Sequence, residues 1–499
     1  MIKRLFQNYW VWLIPLGVIG LVIYYPGFII QYYGDDYMHA FDYLTRNVLY
    51  FATHENPYTF WYRPFQGGVM VAIQNYFGVN PAPVHLTALI LHVLLSWIVY
   101  WAMIRFGFSR LQAILASLFI LFSQANSHAV LSNDCLSQVF GGFWGYLGLI
   151  WLGLALPRLE EHHRPTALRL NLFLYSLSVL AFLLALASKE SSTSFFIIIM
   201  MLISWDCLRS DYRHKLVTLA VRVLPYLVVA AVYFAQRSFV IDNPPAFGSG
   251  KYNFRLGLNV AQNLAQFGFS ALVSASSVSV FTSLAQGRLV FLAGAIGGTL
   301  LLMGAVARGI WISGQRARAG LMALFAVIAM FPMAGLNHVS ELYTYNAMPF
   351  ISVLVGLGLG SLIGASKSRA SRILLWVLFA VLLISNAGAI REKAQLMRQN
   401  GERSAVLMQQ IVPYIRTLPP HGELLLVNPP QDIIEYSVYH IRGFNIFRDA
   451  RHRIKLEASR EDIRVRIINF EDFAENSLSE KTIALTSDRD RVRKINSPD

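Results

Sequence analysis

The chain has 499 residues, of which 55% are hydrophobic and only 14% are charged. A soluble domain carries about a quarter charged residues, so this composition, with a mean hydropathy of +0.47, excludes a soluble enzyme and indicates a membrane protein. The formal net charge of +14 does not indicate a nucleic-acid partner, because the basic residues stand in short clusters between apolar runs. Such clusters are typical of the loops of membrane proteins.

The apolar runs predict about eleven transmembrane helices, since each run is close to the roughly 20 residues that span a bilayer. The predicted spans lie near residues 9–30, 84–104, 111–127, 138–156, 170–187, 192–208, 216–238, 289–307, 319–336, 346–365 and 371–390. The basic start Met1–Arg4 resembles that of a signal peptide. The apolar run after it is too long and lacks a small-residue cleavage site, so we expect it to remain as the first span.

Lysine and arginine mark every second connection between the predicted spans. The basic connections contain Arg105, Arg110, Arg158, Arg164, Arg169, Arg209, Arg213, Lys215, Arg308, Arg316, Arg318, Lys367, Arg369 and Arg372. The intervening connections around Asn126–Ser137 and Asn337–Tyr345 contain no lysine or arginine. Because basic loops stay in the cytoplasm, this pattern predicts a cytoplasmic amino terminus and places the two neutral connections outside.

One half-apolar segment, Leu258–Ala285, does not fit this alternation. It carries several amides and many serines, and counting it as a span would move the Arg308–Arg318 cluster to the outside. Irregular backbone is tolerated at membrane depth where it lines a protein cavity. We therefore predict a re-entrant or surface-lying segment on the outer side.

The composition changes after residue 390. Residues 391–499 contain 18 basic and 16 acidic residues, as in a soluble domain. An amphipathic helix is predicted at Ser404–Arg416, followed by strand-like segments at Glu423–Val427 and Ile463–Ile468. The predicted fold is therefore mainly α, with a polytopic membrane domain over residues 1–390 and a small extracytoplasmic α/β domain after it.

The first outer loop, residues 31–83, contains the most informative charges. Asp35 and Asp36 are adjacent at the membrane surface, and Arg63 stands before a proline downstream. A carboxylate can deprotonate an acceptor hydroxyl while a cation stabilises a departing phosphate. This combination suits a single displacement at a sugar carbon, and it needs no metal if arginine neutralises the phosphate. We predict that this loop is catalytic and that a lipid-linked sugar is the donor.

Two surface helices are expected within this loop. Residues 37–50 have apolar side chains on one side, which predicts an amphipathic helix on the membrane. A second helix is predicted over Gln66–Gly78.

Further polar residues are predicted on the same side of the membrane, where charged residues usually face a cavity. They are Asn126, His128, Asn133, Asp134, Lys189, Glu190, Tyr252, Asn253, Arg255, His338, Glu341, Tyr343 and Tyr345. Structural alternatives stay open for the charged ones: a solvated helix-ending pair for Asp35 and Asp36, an interfacial ion pair for Lys189 and Glu190, and headgroup contact for Arg63. The histidines lack metal-ligand spacing with a carboxylate, so packing roles are favoured.

Four motifs in this order resemble the GT-C class of integral-membrane glycosyltransferases, in particular the protein O-mannosyltransferase-like members. The first combines Asp35–Tyr37 with Tyr62–Phe65, and the second is His85–His92. The third is Ala187–Glu190, and the fourth is His338–Tyr345.

The resemblance covers roughly residues 1–365 and implies a polyprenyl-phosphate sugar donor and an inverting transfer to a hydroxyl, with no other cofactor. It places the catalytic base on Asp35, assisted by Asp36. Contacts with the donor phosphate fall to Arg63, Lys189 and Tyr345. Other donor or acceptor contacts fall to Asp134, Glu190, Glu341 and His92. The sequence departs from the family pattern at Leu342, where arginine is usual, and around Asp134, where a His-Pro pattern is absent.

The acceptor is left open between a protein Ser/Thr, a lipid and a cell-envelope glycan. Competing interpretations are a transporter or flippase, which would show two related halves with interrupted spans, a glycan polymerase or ligase, and a membrane scaffold. The chain contains no Asn-x-Ser/Thr sequon, which favours a bacterial inner membrane over a secretory-pathway membrane.

Overall fold

The computed structural model describes residues 9–54, 61–156, 165–209, 214–241, 254–336, 339–428, 454–455, 457–460, 462–474, 479–488 and 491–495. The predictions for Tyr252, Asn253 and His338 lie outside these residues, as does the basic loop 157–164.

Helices make up most of the described chain. The first nine are α1 (Leu13–Tyr24), α2 (Asp36–Thr45), α3 (Val48–Thr53), α4 (Pro64–Phe77), α5 (Ala82–Arg105), α6 (Arg110–Phe122), α7 (Ser127–Leu131), α8 (Leu136–Ala155) and α9 (Pro165–Leu186). The next eight are α10 (Thr193–Arg209), α11 (Lys215–Val240), α12 (Leu258–Leu272), α13 (Ser277–Ala285), α14 (Leu289–Ser313), α15 (Arg316–Ala334), α16 (Met348–Ala365) and α17 (Arg369–Arg416). Short 3-10 turns lie at Tyr9–Trp12, Tyr25–Ile29, Gln124–Asn126, Asn133–Cys135, Glu190–Ser192 and Glu341–Thr344.

Long apolar helices confirm the predicted multi-pass membrane protein. Among the described residues, nine helices are long and apolar enough to cross a bilayer, and two bent helix pairs raise the number to eleven. The predicted spans correspond to these nine helices, to the bent pair that begins with α6, and to α9, whose apolar part Leu170–Leu186 is shorter. In the predicted third span, which is polar at its end, the chain bends by 45° between Phe122 and Gln124.

Residues 258–285 do not form one straight span. They fold into α12 and α13, which are bent by 115° relative to each other. The Asn263 amide donates to the carbonyl oxygens of Ala334 and Leu336 at 2.8 and 2.9 Å. Asn263 therefore satisfies backbone groups at the end of α15, as expected where irregular backbone is buried against protein.

The predicted single helix over 37–50 is wrong, because the chain breaks into α2 and α3. Asn47 causes the break: its side-chain oxygen accepts a hydrogen bond from the backbone N–H of Tyr50 at 2.9 Å, which caps the start of α3. The second predicted helix is confirmed as α4. It begins at Pro64, the position where proline is well tolerated in a helix.

The last membrane helix continues far beyond the predicted span 371–390. The 48 residues of α17 correspond to a length of about 72 Å, against a hydrocarbon core of roughly 30 Å. The proposed domain boundary at residue 390 therefore falls inside one helix, and the predicted helix Ser404–Arg416 is its final part.

A small mixed sheet follows α17 and confirms the predicted α/β character. Its strands are β1 (Glu423–Val427), β2 (Arg464–Ile468), β3 (Thr482–Asp488) and β4 (Arg491–Ile495). The order is β2-β1-β3-β4, with β1 parallel to both neighbours and β4 antiparallel to β3. A short helix, α18 (Phe470–Ala474), buries Phe473 against the sheet.

Glycine allows two membrane helices to touch through their backbones. A Cβ atom on Gly309 of α14 would lie 1.8 Å from the carbonyl oxygen of Gly358 in α16. A Cβ on Gly358 would lie 2.5 Å from the carbonyl oxygen of Val306. Small residues at such a crossing let the helices approach closely enough for van der Waals packing to hold them in lipid.

Gly309→Ala is expected to lower the melting temperature of the purified protein, because α14 and α16 must separate to accommodate the methyl group. This loss would occur although alanine usually stabilises a helix by up to about 1 kcal/mol relative to glycine. Gly304→Ala on the same helix is the matched control, since a Cβ there meets nothing within 4 Å. Equal melting temperatures for the two variants would contradict the close packing.

Candidate active site

The loops that contain the predicted site residues meet on one side of the helix bundle. We call this side, which carries the loops with Asp35, Asp134, Lys189 and Glu341, the site face. Its loops contact one another: α2 touches the 3-10 turn at Asn133–Cys135 through Asn133, and the turn at Gln124–Asn126 contacts the one at Glu341–Thr344.

A tight turn places the two adjacent carboxylates at the start of α2. Gly34 has a φ of 59°, a left-handed conformation that glycine adopts without steric cost. The backbone N–H of Tyr37 donates to the Gly34 carbonyl at 3.4 Å, and that of His39 donates to Asp35 at 3.3 Å. Both carboxylates therefore stand at a helix amino terminus, where backbone dipoles stabilise negative charge.

The carboxylates of Asp35 and Asp36 lie in different environments. Asp36 is only 6% exposed, and its Oδ2 accepts hydrogen bonds from the Tyr33 backbone N–H at 3.2 Å and the Asn133 amide at 3.1 Å. Burial, together with the nearby negative charge of Asp134, raises the pKa of the Asp36 carboxyl well above its usual range. Asp35 is half-buried, so it is the more accessible of the two carboxylates.

Asp134 lies beside this pair on the second loop of the site face. Its Oδ1 accepts hydrogen bonds from the Ser132 hydroxyl at 2.6 Å and from the Cys135 thiol at 3.1 Å. His39 and His128 are close enough to interact with it electrostatically. The sequence prediction that Asp134 shares a site with the first loop is therefore consistent with the position of its side chain.

Arg63 and Glu190 form the main ion pair of the site. Arg63 Nε donates to Glu190 Oε2 at 3.1 Å, and Nη2 donates to the same oxygen at 3.0 Å. Arg63 Nη1 also lies 3.5 Å from the Ser137 hydroxyl. The side chains of Arg63 and Glu190 are only 8% and 22% exposed. Glu190 is thus paired with Arg63 from the first loop, whereas the sequence suggested a pair with its neighbour Lys189.

Lys189 is the second cation of this group. It is buried, and its Nζ lies 5.7 Å from the ring centre of Trp61. Burial, together with the nearby Arg63 guanidinium, lowers the pKa of the Lys189 ammonium to about 8. Two cations therefore lie beside Glu190, with Asp134 also close enough to interact with Lys189.

Trp61 connects the acidic and basic halves of the site. The ring of His39 stacks on it with centres 5.7 Å apart and an angle of 16° between the planes. The Arg63 guanidinium carbon lies 4.0 Å from the ring centre, a distance typical of a cation–π contact. Through this single indole ring, Arg63 and Lys189 lie near His39 and its acidic neighbours.

Backbone contacts fix the segment around Arg63. The N–H of Phe65 donates to the carbonyl of Ala187 at 3.0 Å, so this segment is joined to the loop that carries Lys189. The Tyr233 hydroxyl of α11 donates to the carbonyl of Tyr62 at 3.0 Å. Arg63 is therefore held from both sides by residues distant in sequence.

His92 and Tyr345 belong to a second, interior group. His92 is fully buried, and its Nδ1 lies 3.1 Å from the Tyr345 hydroxyl. Its Nε2 lies 3.5 Å from the hydroxyl of Tyr24. His92 and Tyr345, which the sequence predicted to contact the substrates, therefore contact each other inside the bundle. They do not lie against Arg63.

Glu341 is also interior and is paired with a residue that the sequence analysis did not single out. Its carboxylate forms a fully buried ion pair with Lys393 of α17. Lys393 Nζ also donates to the Gln124 side-chain oxygen at 2.6 Å. Lys393 therefore ties α17 both to the turn that contains Glu341 and to the second loop of the site face.

A polar triangle links the interior group to the ion pair. Gln138 donates to Asn346 at 2.8 Å, Asn346 lies 3.4 Å from the Ser191 hydroxyl, and Ser191 lies 3.5 Å from Gln138. Ser191 follows Glu190, and Asn346 follows Tyr345. The two groups are therefore connected by hydrogen bonds through α8.

The sequence analysis missed the residues that link the loops. These are Trp61, Gln124, Gln138, Asn346 and Lys393. The local signals at these positions were an aromatic residue before Tyr62, amides in otherwise apolar runs, and a lysine just past a span. Among the described residues, no three His, Cys, Asp or Glu side chains are grouped so that they could hold a metal ion.

Removing the acidic partner of Arg63 is expected to destabilise the protein. Glu190→Gln leaves a largely buried guanidinium without its carboxylate, which costs about 3–5 kcal/mol for buried pairs. The measurement is thermal unfolding in detergent. The double variant Arg63→Gln with Glu190→Gln, which removes both charges of the pair, should recover part of the loss. If it is as unstable as the sum of both single variants, the two charges do not interact.

The structure resembles solved membrane glycosyltransferases. The oligosaccharyltransferase of Archaeoglobus fulgidus in the apo form aligns with a TM-score of 0.52 at 15% identity, over 93% of this chain and 65% of that one. Its complex with zinc and sulfate gives a TM-score of 0.50 at 12% identity, over 91% and 62%. ArnT from Cupriavidus metallidurans in the apo state aligns with a TM-score of 0.49 at 14% identity, over 95% and 93%.

These comparisons concern the fold. No family model and no curated protein matches the sequence, and the chain spans just under two thirds of the archaeal enzyme. The alignment with that enzyme includes nearly all of this chain, both the membrane helices and the residues after them. The chain therefore has the GT-C fold of integral-membrane glycosyltransferases.

Proposed function

We propose that this protein is a membrane glycosyltransferase that moves a sugar from a polyprenyl-phosphate carrier to a hydroxyl group. The observation that carries the proposal is the grouping around Trp61, against which His39, Arg63 and Lys189 all lie. Asp134 interacts electrostatically with His39, Lys189 and Asp36, so the carboxylates lie close to this group. A displacement at a sugar carbon requires a carboxylate base and phosphate-stabilising cations close together in one site. The GT-C fold supports the same class of reaction.

We assign the general base to Asp35. It is more accessible than Asp36, whose Oδ2 is occupied by two hydrogen bonds. Asp36 and Asn133 instead hold the turn that presents Asp35. A carboxylate base at this position would take the proton of the acceptor hydroxyl as that oxygen attacks the sugar.

The reaction follows as a single displacement. The acceptor oxygen forms a bond with the anomeric carbon while the bond between that carbon and the phosphate oxygen breaks. The proton moves to Asp35, and the electron pair leaves with the polyprenyl phosphate. Attack from the face opposite the leaving group inverts the configuration at the anomeric carbon.

Arg63 and Lys189 are proposed to stabilise the departing phosphate. Glu190 holds Arg63 in place through two of its N–H groups, so a phosphate would approach the remaining guanidinium edge and the Lys189 ammonium. Preorganised cations in a poorly hydrated site stabilise developing negative charge more strongly than water does. This proposal makes the lipid-linked sugar the donor substrate, with no other cofactor required.

The same proposal assigns the protein to a membrane and a compartment, and it identifies the kinds of molecule that the protein acts on. The alternation of basic and neutral connections supports an inner-membrane protein with a cytoplasmic amino terminus and the site face outside. The acceptor hydroxyl would then belong to a protein, a lipid or a cell-envelope glycan, within a surrounding of membrane lipid. The C-terminal sheet would lie in the extracytoplasmic space.

Asp35→Asn is expected to reduce sugar transfer by about 10²–10⁴-fold, the usual contribution of a general base. The assay follows labelled sugar from polyprenyl-phosphate donors into acceptors in membranes that contain the protein. Asp472→Asn, the same change at an exposed aspartate of α18, should transfer sugar like the wild type. Full activity of Asp35→Asn, with normal membrane insertion, would rule out Asp35 as the base.

The affinity for the donor is expected to weaken as the pH rises through about 8, where Lys189 loses its proton. The KM for the polyprenyl-phosphate sugar should therefore increase above this pH. In Lys189→Arg the guanidinium stays charged, so the KM should change less between pH 7 and pH 9. Identical pH profiles for the two proteins would show that Lys189 does not bind the phosphate.

A further inference from the structure

The part of α17 beyond the predicted membrane span contacts the loops of the site face one after another. Residues 391–416 continue the membrane helix without a break. Along this length α17 contacts the segments that contain Gln124, Glu341, Gln31 and Tyr37. Few elements of the fold touch so many separate loops, so this part of the helix defines their relative positions.

The first contact anchors α17 to two loops of the site face. Lys393 is 1% exposed and is paired with Glu341, and it donates to the Gln124 side chain at 2.6 Å. Asn386, two turns earlier, accepts a hydrogen bond from the Gln124 backbone N–H at 2.9 Å. Separating the two partners would leave an uncompensated buried charge. The ion pair and its additional hydrogen bonds therefore hold Lys393 in one position.

The second contact depends on the absence of a side chain. A Cβ atom on Gly401 would lie 2.7 Å from the carbonyl oxygen of Gln31 and 2.8 Å from its backbone nitrogen. Gln31 lies four residues before Asp35. The helix thus packs directly against the backbone that leads into the catalytic turn, and any larger residue at Gly401 must displace that backbone.

The third contact lies just after the carboxylates. The Ser404 hydroxyl is hydrogen-bonded to the hydroxyl of Tyr37, and both side chains are buried. Tyr37 follows Asp36 in the first turn of α2. Gly401 and Ser404, one helical turn apart, therefore touch the chain on both sides of Asp35 and Asp36.

We propose that Lys393, Gly401 and Ser404 are positioning residues that set the location of Asp35 relative to the bound substrates. The proposal rests on the function proposed above. A rigid helix that is anchored at Lys393 holds the turn at two points, so the carboxylate is placed before substrate binds. Displacements of about 1 Å at a reacting group can cost on the order of 100-fold in rate.

Gly401→Ala tests the proposal, with Gly388→Ala as its matched control. Both changes add one methyl group to α17, but a Cβ on Gly388 meets nothing within 4 Å. In Gly401→Ala, kcat for sugar transfer should fall at least tenfold while the KM for the donor changes less than twofold. Amide hydrogen exchange in residues 31–37 should also become faster. Gly388→Ala should match the wild type in both measurements.

A purely structural role for Gly401 predicts a different result. The melting temperature would fall in Gly401→Ala, while kcat per folded molecule would remain at the wild-type value. Wild-type kcat together with unchanged exchange in residues 31–37 would overturn the proposal.

Ser404→Ala and Tyr37→Phe provide a second test if Gly401→Ala does not fold. Each removes one partner of the same hydrogen bond without adding volume. Each should lower kcat severalfold, and the double variant should be no slower than the slower single variant. Fully additive losses, or no loss in either single variant, would overturn the proposal.

The exchange measurement separates this proposal from the proposed function. If residues 31–37 exchange faster in Gly401→Ala but the wild type transfers no sugar from polyprenyl-phosphate donors, the positioning contact stands and the donor assignment fails. If the wild type transfers sugar and exchange is unchanged, the glycosyltransferase assignment stands and the positioning role fails.

Discussion

The ion pair between Arg63 and Glu190 joins two loops whose residues are 127 positions apart in the chain. Both side chains are largely withdrawn from water, so each charge is tolerable only while the other remains in place. This mutual requirement determines the surrounding geometry. Arg63 lies over Trp61, and the loop around Glu190 brings Lys189 to the same ring. The cationic half of the candidate site therefore depends on this pair.

The buried carboxylates of the site also depend on partners, which here are hydrogen-bond donors. Asp36 is buried because Asn133 and the Tyr33 backbone satisfy its carboxylate, and Asp134 is satisfied by Ser132 and a neighbouring thiol. Polar groups this close to a membrane are retained only when they are hydrogen-bonded or paired. Because Asp36 is held in this way, Asp35 is left as the accessible carboxylate of the pair, which is what the proposed base requires.

The long helix α17 connects these halves with the C-terminal sheet. Lys393 neutralises Glu341 in the interior, Gly401 and Ser404 pack on the first loop, and Gln410 accepts a hydrogen bond from the Val492 backbone N–H at 2.9 Å. The sheet and the turn that contains Asp35 are therefore attached to one continuous helix. This helix therefore connects the membrane domain directly with the domain that follows the last span.

Hydropathy and charge determined the membrane architecture by themselves. The apolar runs, the alternation of basic connections and the carboxylates beside the first span are local properties of the sequence, and each is read within about 20 residues. Only the tertiary structure decided which charges are partners: Glu190 pairs with Arg63, Glu341 with Lys393, and His92 is enclosed in the interior. The two ion pairs join residues separated by 127 and 52 positions, and a short sequence window carries no record of such contacts.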